Sequence, residues 1–154
     1  MSTYLAAIDE GTSSTRFVIS DKEGNIIVSV QKELTQHHPV AGHSEHDAME
    51  IWDFTKICMN EALTQSGLNA SDIAAIGITN QRETTLVWNK HTGKPYHHAI
   101  VWNDNRTANI CKRLMNGTDD LNIYKSITGL PLAPYFSGTK LMYLLETVPG
   151  LRQW

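Results

Sequence analysis

A short polar turn between two strand-like runs holds the residue types that bind phosphate. It contains a carboxylate, a glycine, a cluster of hydroxyls and an arginine: Asp9, Gly11, Thr12, Ser13, Ser14, Thr15 and Arg16. Hydroxyls and backbone amides in such a turn can donate to anionic oxygens, arginine adds a planar donor fork, and aspartate can hold Mg²⁺ directly or through water. The lysine and the spacing of a P-loop are missing. The sequence therefore predicts a phosphate and magnesium site of another architecture, with an ordinary polar hairpin turn as the alternative.

A second polar cluster follows a nearly all-apolar run. Residues 80–83 read Asn-Gln-Arg-Glu and come directly after the predicted strand Ile73–Thr79. Side chains at the end of a central strand are held on rigid backbone and open onto a cleft, the usual ligand position in open α/β sheets. Arg82 and Glu83 offer donors and a charged acceptor that suit the hydroxyls of a small polyol. A surface ion pair between these two neighbours is the alternative.

Two aromatic residues stand where an element ends or begins. Trp102 closes a short apolar run and either presents a flat wall to the carbon backbone of a ligand or packs in the core. Tyr135 precedes the last predicted helix and either sends its hydroxyl into a pocket or is a core aromatic. For their neighbours we predict structural roles, namely helix caps at Asn103 or Asp104 and at Ser137 or Gly138, and an ion pair with an acid for Arg106.

Histidine and cysteine spacing does not indicate a metal site. The histidines concentrate in pairs and in one polar loop, at His37, His38, His43, His46, His97 and His98. No acid or cysteine stands at a spacing that fits zinc ligation, so we interpret the group as solvated loop residues. Cys58 and Cys111 fall in helical patterns far apart in sequence, which favours buried free thiols in a reducing compartment.

Bulk composition indicates an ordinary globular chain and excludes several classes of partner. The chain has 154 residues, 41% of them hydrophobic and 19% charged, which suits a single domain with a real core. A net charge of −3 argues against a nucleic acid or a membrane surface held by bulk electrostatics. No apolar run is long enough for a membrane span, and the N-terminus lacks the pattern of a secretory signal. We therefore expect a cytoplasmic protein.

Strand and helix patterns predict an α/β layout with a mixed sheet. We predict strands at Tyr4–Ile8, Phe17–Ser20, Ile26–Leu34, Ile73–Thr79, Thr84–Trp88 and Ala99–Trp102. The first three are joined by short turns and form an antiparallel meander, whereas Ile73–Thr79 is apolar enough to be covered on both faces. Residues 35–46 are predicted to be a loop.

Helix patterns follow the meander and recur to the end of the chain. The first helix begins after Asp47, with Glu50 completing a capping box, and ends at Gly67. Its predicted apolar face is Met49, Ile51, Trp52, Ile57, Cys58, Ala62 and Leu63. Further helices are predicted at Arg106–Met115, Leu121–Ser126 and Thr139–Thr147. The apolar, aromatic end at Trp154 hints at a chain that was cut short.

Taken together, these motifs resemble one family. The turn Asp9–Arg16, the stretch Gly77–Thr85, the run Ala99–Trp102 and the segment Pro134–Lys140 are similar, in this order, to the glycerol kinase branch of the FGGY carbohydrate kinases. The stretch Asn80–Thr85 is specific to that branch, whereas the Asp-x-Gly-Thr turn alone would mark only the superfamily. The resemblance covers essentially the whole chain. It implies an α/β, ribonuclease-H-like (actin-like ATPase) mixed sheet with flanking helices.

Carried over residue by residue, the resemblance implies ATP-dependent phosphorylation of glycerol to sn-glycerol 3-phosphate with Mg²⁺. The group that would contact the nucleotide phosphates is Thr12, Ser13, Ser14 and Arg16, with Asp9 as the catalytic residue at the magnesium-phosphate end. The group that would bind glycerol is Arg82, Glu83 and Tyr135, on the hydroxyls, and Trp102, on the carbon face. ATP or ADP and glycerol are thus the expected partners, and a homo-oligomer of the full-length protein stays open.

The sequence departs from the family pattern in residues and in length. Glu10 stands where glutamine is usual, so its carboxylate either repels the phosphates or points away from them. Asn103 and Asn105 also differ from the usual residues. In the family, the general base, the adenine pocket and the second lobe lie further along than residue 154. We therefore interpret residues 1–154 as the N-terminal part of the first lobe, inactive alone.

Other functions stay open at this stage. A kinase for another small polyol or sugar would share the turn, but Arg82 and Glu83 argue for glycerol. A non-catalytic module that binds glycerol or nucleotide would keep the same residues without turnover. Actin-like chaperones and filaments are a further class, and they would not need Arg82, Glu83, Trp102 and Tyr135 together.

Overall fold

The computed structural model describes residues 4–153, so Trp154, on which the hint of a shortened chain rests, lies outside the described residues. The strands are β1 (Tyr4–Glu10), β2 (Ser14–Asp21), β3 (Ile26–Glu33), β4 (Glu45–His46), β5 (Ile73–Thr79) and β6 (Ala99–Ile100). The helices are α1 (Ala48–Ser66), α2 (Ala108–Leu114), α3 (Lys125–Thr128) and α4 (Ser137–Thr147), with short 3₁₀ turns at Ala70–Asp72 and Leu151–Gln153.

The chain forms two compact units, each of which joins two stretches of sequence. The first unit contains the residues up to Thr35 together with Asp47–Gln81. The second contains Gln36–His46 together with the residues from Arg82 onward.

The first unit is a four-stranded mixed sheet in the order β3-β2-β1-β5. β1, β2 and β3 pair as an antiparallel meander, and β5 pairs with β1 in parallel. The predicted meander is therefore confirmed, with β1 and β2 longer than predicted and β3 one residue shorter. A parallel pair needs a long crossover connection, and α1 supplies it.

The core of the first unit lies between α1 and one face of the sheet. Alternate residues of the meander point inward, and the buried set is Ala6, Phe17, Ile19 and Val30 from the strands with Cys58 and Ala62 from the helix. Because side chains alternate across a strand, the residues between them face the other side. Burial also raises the pKa of the Cys58 thiol, as the predicted free buried cysteine requires.

The ends of α1 were predicted correctly, but its capping box was not. The Asp47 side chain accepts a hydrogen bond from the Met49 N–H at 2.8 Å, and Gly67 ends the helix with a left-handed φ of 68°. Glu50 does not reach back to Asp47. Its two carboxylate oxygens accept from the N–H and the hydroxyl of Thr35 at 2.9 and 2.7 Å, so the residue links the helix to the chain after β3.

The predicted apolar face of α1 is also wrong in part. Met49, Trp52 and Ile57 are 43%, 55% and 40% exposed. The inward stripe is Thr55, Cys58, Met59, Ala62 and Leu63, which follows the three- and four-residue spacing of one helix face. Met49, Trp52 and Ile57 therefore face away from the sheet.

β5 is exposed, although its sequence predicted a strand covered on both faces. Ile76 is 46% exposed and Ile78 is 73% exposed. The physical reason is position, because β5 lies at the edge of the sheet and α1 packs mainly against β2 and β3. The apolar pattern correctly predicted a strand. The prediction that this strand is buried on both faces is wrong for residues 4–153.

The second unit has a small two-stranded sheet of β4 and β6 and three helices. Its core contains Ile100, Leu144 and Leu151. The predicted loop at residues 35–46 therefore includes a strand. The predicted strand Thr84–Trp88 is reduced to isolated bridges, Thr85 with Ile100 and Trp88 with Pro95, since proline lacks the N–H that would continue a ladder.

The elements of the second unit differ from their predicted bounds. β6 stops at Ile100 because the Val101 carbonyl accepts from the Asp104 N–H in a turn, while the Ser44 N–H donates to the Asp104 carboxylate. α2 is shorter than predicted, α3 is a single turn displaced to Lys125–Thr128, and α4 starts two residues early. Cys111 is a buried free thiol, like Cys58.

Candidate functional site

The phosphate-type turn is a tight three-residue link between β1 and β2. Its ends are closed by a hydrogen bond from the Gly11 N–H to the Ser14 carbonyl at 3.0 Å. A Cβ on Gly11 would lie 3.0 Å from that same carbonyl oxygen, so a larger residue would force the turn apart. Gln81 donates its side-chain N–H to the Gly11 carbonyl at 2.8 Å, and the Leu34 N–H donates to Ser13 at 2.9 Å. The turn is therefore held from both neighbouring strands.

Three of the predicted residues share the face of the sheet that is turned away from α1. Asp9 and Arg16 are directly opposite each other in the β1–β2 ladder, and Ser14 is on the same side by strand alternation. Arg16 is exposed, and its Nε donates to Gln31 at 3.0 Å, which fixes the start of the guanidinium fork. Thr12 and Ser13 lie in the turn itself. The sheet thus brings the five predicted residues Asp9, Thr12, Ser13, Ser14 and Arg16 to one end of one hairpin.

Glu10 lies on the opposite face of β1 from Asp9. One carboxylate oxygen accepts from the Thr15 hydroxyl at 2.7 Å and the other from the Thr55 hydroxyl at 2.7 Å. Both threonines are buried. Of the two outcomes considered for this residue, the geometry supports the one in which its charge points away from the phosphate turn.

A metal ion at the turn between β1 and β2 would have to be held by fewer than three side-chain ligands from the described residues. In residues 4–153 no three His, Cys, Asp or Glu side chains are grouped so as to hold a metal ion. Mg²⁺ rarely needs such a group, because it is usually bound through one or two carboxylates with water and substrate phosphates. Asp9 at the end of β1 fits that requirement.

In the second unit, Glu83 is fixed by the start of α4. Its Oε2 accepts hydrogen bonds from the Ser137 N–H at 2.7 Å and the Ser137 hydroxyl at 2.6 Å. These bonds lower the pKa of Glu83, since they favour the charged form. Its φ is 66°, an uncommon value for a residue with a Cβ. The carboxylate is thus engaged by Ser137 and not by its neighbour Arg82, which is exposed.

The same contact corrects the predicted cap of the last helix. Ser137 is the first residue of α4 and Phe136 precedes it without a side-chain cap. The acceptor for the helix N-terminus is therefore Glu83, 54 residues earlier in the chain. A carboxylate at this end is favoured because the first N–H groups of a helix have no partner within it.

Trp102 and Tyr135 are brought together. Their ring centroids are 5.9 Å apart in an edge-to-face arrangement, and Tyr135 makes a second such contact with Phe136 at 5.1 Å. The Trp102 N–H donates to the Thr84 hydroxyl at 3.3 Å, which ties this residue to the segment that follows Glu83. Tyr135 is 41% exposed, so it is not a core aromatic.

Arg106 is part of a buried ion cluster, as predicted. It donates to Asp104 and to Glu45 at 2.8 and 2.7 Å, and its guanidinium lies 5.3 Å from the centre of the Tyr143 ring. Burial works against the charge of Asp104, but the bonds from Arg106 and from the Ser44 N–H outweigh it and lower the pKa of this carboxyl. Asp104 therefore organises a loop, and the prediction that it caps a helix is wrong.

One cavity of the second unit has Glu83 in its lining. Its volume is about 610 Å³, and the lining includes Leu114, Leu130, Leu132, Phe136 and Met142 together with Ser137. Arg82, Trp102 and Tyr135 do not line it. A small triol needs several convergent polar groups, so this cavity is not the polyol site that the sequence predicts.

Three residues that hold the predicted ones were missed at the sequence level. They are Gln81, which supports the turn after β1, Ser137, which fixes Glu83, and Lys140, which donates to the Tyr135 carbonyl. Gln81 and Ser137 belong to the polar motifs around Arg82 and Tyr135, but nothing in their spacing indicates which residue they hold. A lysine in a helix pattern ordinarily indicates an exposed face.

The mixed sheet, its polar turn and the flanking helices are typical of one class of protein. The profile of the FGGY family of carbohydrate kinases, N-terminal domain, matches residues 4–154. The chain therefore belongs to the FGGY family of carbohydrate kinases, and the predicted α/β, ribonuclease-H-like mixed sheet with flanking helices is confirmed. None of the helices in residues 4–153 is long and apolar enough to cross a membrane.

Within that family, the chain is similar to glycerol kinases. It is 52% identical over 153 residues to glycerol kinase from Methylobacterium radiotolerans, covering 99% of this chain and 30% of the relative. It is 51% identical over 150 residues to glycerol kinase from Mycoplasma capricolum, covering 97% and 29%. The chain thus spans about 30% of the length of the curated relatives that it matches.

Solved structures show the same fold. The chain is similar to the crystal structure of Plasmodium falciparum glycerol kinase with ADP, with a TM-score of 0.87 and 32% identity over 97% of this chain and 30% of that one. Xylulose kinase from Rhodospirillum rubrum gives a TM-score of 0.83 at 19% identity over 96% and 30%. The second likeness concerns the fold alone.

Proposed function

We propose that the protein carrying this chain transfers the γ-phosphoryl group of ATP to glycerol and forms sn-glycerol 3-phosphate. The observation that carries the proposal is that Ser137 fixes the Glu83 carboxylate at the start of α4, close in sequence to Tyr135, whose ring contacts Trp102 edge to face. The 52% identity to glycerol kinases over 99% of the chain supports the choice of glycerol.

The chemistry of these residues suits a small triol. Glu83 is ionised at neutral pH, as an ordinary glutamate is, and the Ser137 bonds lower its pKa further, so it accepts hydrogen bonds from hydroxyls. Arg82 and Tyr135 add donors, and Trp102 supplies a flat wall for the carbon chain. Several convergent polar groups and one apolar wall are what orient a small polyol for reaction at one hydroxyl.

The turn of the first unit is proposed to hold the phosphates of the nucleotide. Thr12, Ser13 and Ser14 offer hydroxyls, and Arg16 offers an exposed guanidinium fork. Asp9 would hold Mg²⁺, directly or through water. When bound, Mg²⁺ neutralises the charge that develops on the phosphoryl oxygens. The chain's own contribution is to position these groups on a rigid hairpin.

The general base that takes the proton of the attacking hydroxyl is proposed to lie outside residues 1–154. No residue of the two groups is assigned that role here. Phosphoryl transfer depends on positioning and charge stabilisation around an in-line geometry, and the two groups described supply binding without the base. The cytoplasmic location and a homo-oligomer of the full-length protein stay predictions.

Two other functions fit parts of the same geometry. A kinase for another small polyol or sugar would use the same hairpin with a different set of hydroxyl partners. A non-catalytic module would bind glycerol or nucleotide without turnover. The activity of the protein at its natural length decides between these functions. The first step is therefore to capture that protein from source cells with an antibody to this segment and to measure its mass.

The deciding experiment is a coupled ADP-release assay on that natural-length protein. We expect glycerol-dependent ADP formation that exceeds the rate with xylulose, gluconate or erythritol at least tenfold. Glu83→Ala should abolish it, whereas Glu23→Ala, which removes an exposed carboxylate in the β2–β3 turn, should not. Preference for a sugar would support the first alternative, and glycerol binding without ADP release the second.

A further inference from the structure

Lys140 is fully buried on α4. Its exposed fraction is 0%, and it is the largest of the fully buried side chains in residues 4–153. Lysine is almost never fully buried unless its charge has partners. The ammonium donates to the carbonyl oxygens of Pro134, at 2.8 Å, and of Tyr135.

Those partners are unusual for a buried cation, because they are neutral backbone groups of one short segment. Burial lowers the pKa of Lys140, while the nearby carboxylates of Asp104 and Glu83 oppose that change. Neither carboxylate is an ion-pair partner of Lys140 within the described residues. An ammonium costs free energy to bury, and a methionine of similar length would fill the same space without that cost. The contact that only the lysine makes is with the Pro134–Tyr135 backbone.

This backbone carries one of the predicted polyol-binding residues. Tyr135 is held through its carbonyl by Lys140, and its ring is flanked by Trp102 and Phe136. Glu83 is attached to the same helix start, through Ser137. The two polyol-binding residues are therefore both tied to the first turn of α4, one by Ser137 and the other by Lys140.

We propose that Lys140 is a positioning residue for polyol binding, whose ammonium fixes the Pro134–Tyr135 backbone and so sets the direction of the Tyr135 ring. The consequence for glycerol rests on the proposed function. The effect of Lys140 on the Tyr135 ring does not depend on the proposed function. The positioning role and the glycerol kinase activity can therefore be tested separately.

The test compares Lys140→Met with Leu144→Ala in the natural-length protein. Leu144 is buried one turn further along α4 and packs in the core with Ile100, so its truncation weakens the same helix without touching Tyr135. We expect Lys140→Met to raise the KM for glycerol about tenfold, as loss of one well-oriented contact would, with the KM for ATP unchanged. Leu144→Ala should lower the melting temperature and leave both KM values unchanged.

A readout independent of glycerol is the ¹⁹F NMR signal of 3-fluorotyrosine at position 135, assigned with Tyr135→Phe. In Lys140→Met this signal should shift towards the solvent value and narrow, while in Leu144→Ala it should keep its position. If Lys140→Met does not fold, Lys140→Gln, which retains an NH₂ donor group without the charge, is measured in the same way. An unchanged Tyr135 signal, or a KM effect equal to that of Leu144→Ala, would overturn the proposal.

The two proposals fail in different ways. A protein that phosphorylates no glycerol while its Tyr135 signal responds to Lys140→Met would end the glycerol proposal and support the positioning role. Full glycerol activity with no response of the Tyr135 signal would support the glycerol proposal and end the positioning role of Lys140.

Discussion

Asp9 and Glu10 are adjacent carboxylates with opposite surroundings. Asp9 faces away from α1 beside Arg16, whereas Glu10 faces the helix and accepts from Thr15 and Thr55. Strand alternation alone separates them. The acid at position 10 therefore serves the contact between β1 and α1 more than it affects phosphate binding.

We predict that Glu10→Gln is nearly neutral. The Thr55 hydroxyl lies 2.7 Å from both Glu10 and the Ile51 carbonyl, and its single proton cannot serve both acceptors. A glutamine amide would donate to Thr55, which would then donate to Ile51. The free energy of unfolding should change by less than about 0.5 kcal/mol, measured by urea denaturation, and the KM for ATP by less than about threefold.

The control for this change is Glu10→Ala, which leaves the buried Thr15 hydroxyl without its acceptor, whereas Thr55 keeps the Ile51 carbonyl. It should cost about 1–3 kcal/mol. A large fall in the KM for ATP in Glu10→Gln would show that the carboxylate does act on the nucleotide.

The carboxylate of Glu83 gives a prediction on pH. Because the Ser137 bonds place its pKa below the ordinary value of 4.5, they contribute stability in full above that value, and the contribution is lost as pH falls through the lowered pKa. Ser137→Ala removes the hydroxyl donor and keeps the N–H. The pKa of Glu83 should rise towards 4.5 without reaching it, as followed by ¹³C NMR of the carboxyl carbon. Ser126→Ala, at an exposed position of α3, is the matched control and should leave it unchanged.

Among the elements, α1 has its ends determined locally. The Asp47 cap and the Gly67 stop involve only residues of the helix and its flanks, so the sequence predicted both. The hydrogen-bond partner of Glu50 lies 15 residues away, at Thr35, and no local pattern contains that information. The same holds for Glu83, which caps α4 across 54 residues.

We predict that Asp47→Ala destabilises the first unit by about 1 kcal/mol through loss of the helix cap. The measurement is the free energy of unfolding from thermal or urea denaturation. Asp53→Ala is the matched control, because it removes an equal charge from an exposed position of the same helix, where Asp53 pairs with Lys56, and should cost about 0.5 kcal/mol or less. Equal losses in the two variants would contradict a capping role.

How far an element could be predicted depended on how local its contacts are. The meander β1–β3 followed from the alternation of apolar residues and from the turn residues. The same turn residues predicted the candidate site of the β1–β2 hairpin. The small sheet of β4 and β6 was not, because its pairing joins Glu45 to Ile100 across the sequence. Burial was harder still, as the exposed Trp52 and Ile78 show, since an apolar pattern does not say which element will cover it.

At the scale of the whole molecule, β5 is an exposed edge strand of the four-stranded sheet. Ile78 is 73% exposed on a strand whose outer side has no neighbour among the described residues. Such edges pair with other chains. We predict that residues 1–154 alone associate with rising concentration, and that Ile78→Lys reduces this association in sedimentation velocity without loss of stability. Ile127→Lys, on α3, where Ile127 is 83% exposed, is the control, and an equal effect would argue against edge pairing.

The separation of binding groups from a base predicts that residues 1–154 alone do not turn over. ADP release by the isolated segment should be the same with and without glycerol, and the same as for its Glu83→Ala variant. Binding is a separate matter, because Glu83, Trp102 and Tyr135 belong to one unit. Glycerol-dependent turnover above the Glu83→Ala control would mean that the base lies within this chain.

The parallel pairing of β1 with β5 has a consequence for biosynthesis. On a ribosome the first strand is made first, yet its partner Ile76 emerges about 70 residues after Ala6, so one edge of β1 stays open while α1 is translated. The antiparallel hairpin with β2 can close meanwhile, since its partners are close in sequence. The Gly11 turn therefore forms early, and its last support, the Gln81 side chain, arrives only when the crossover is complete.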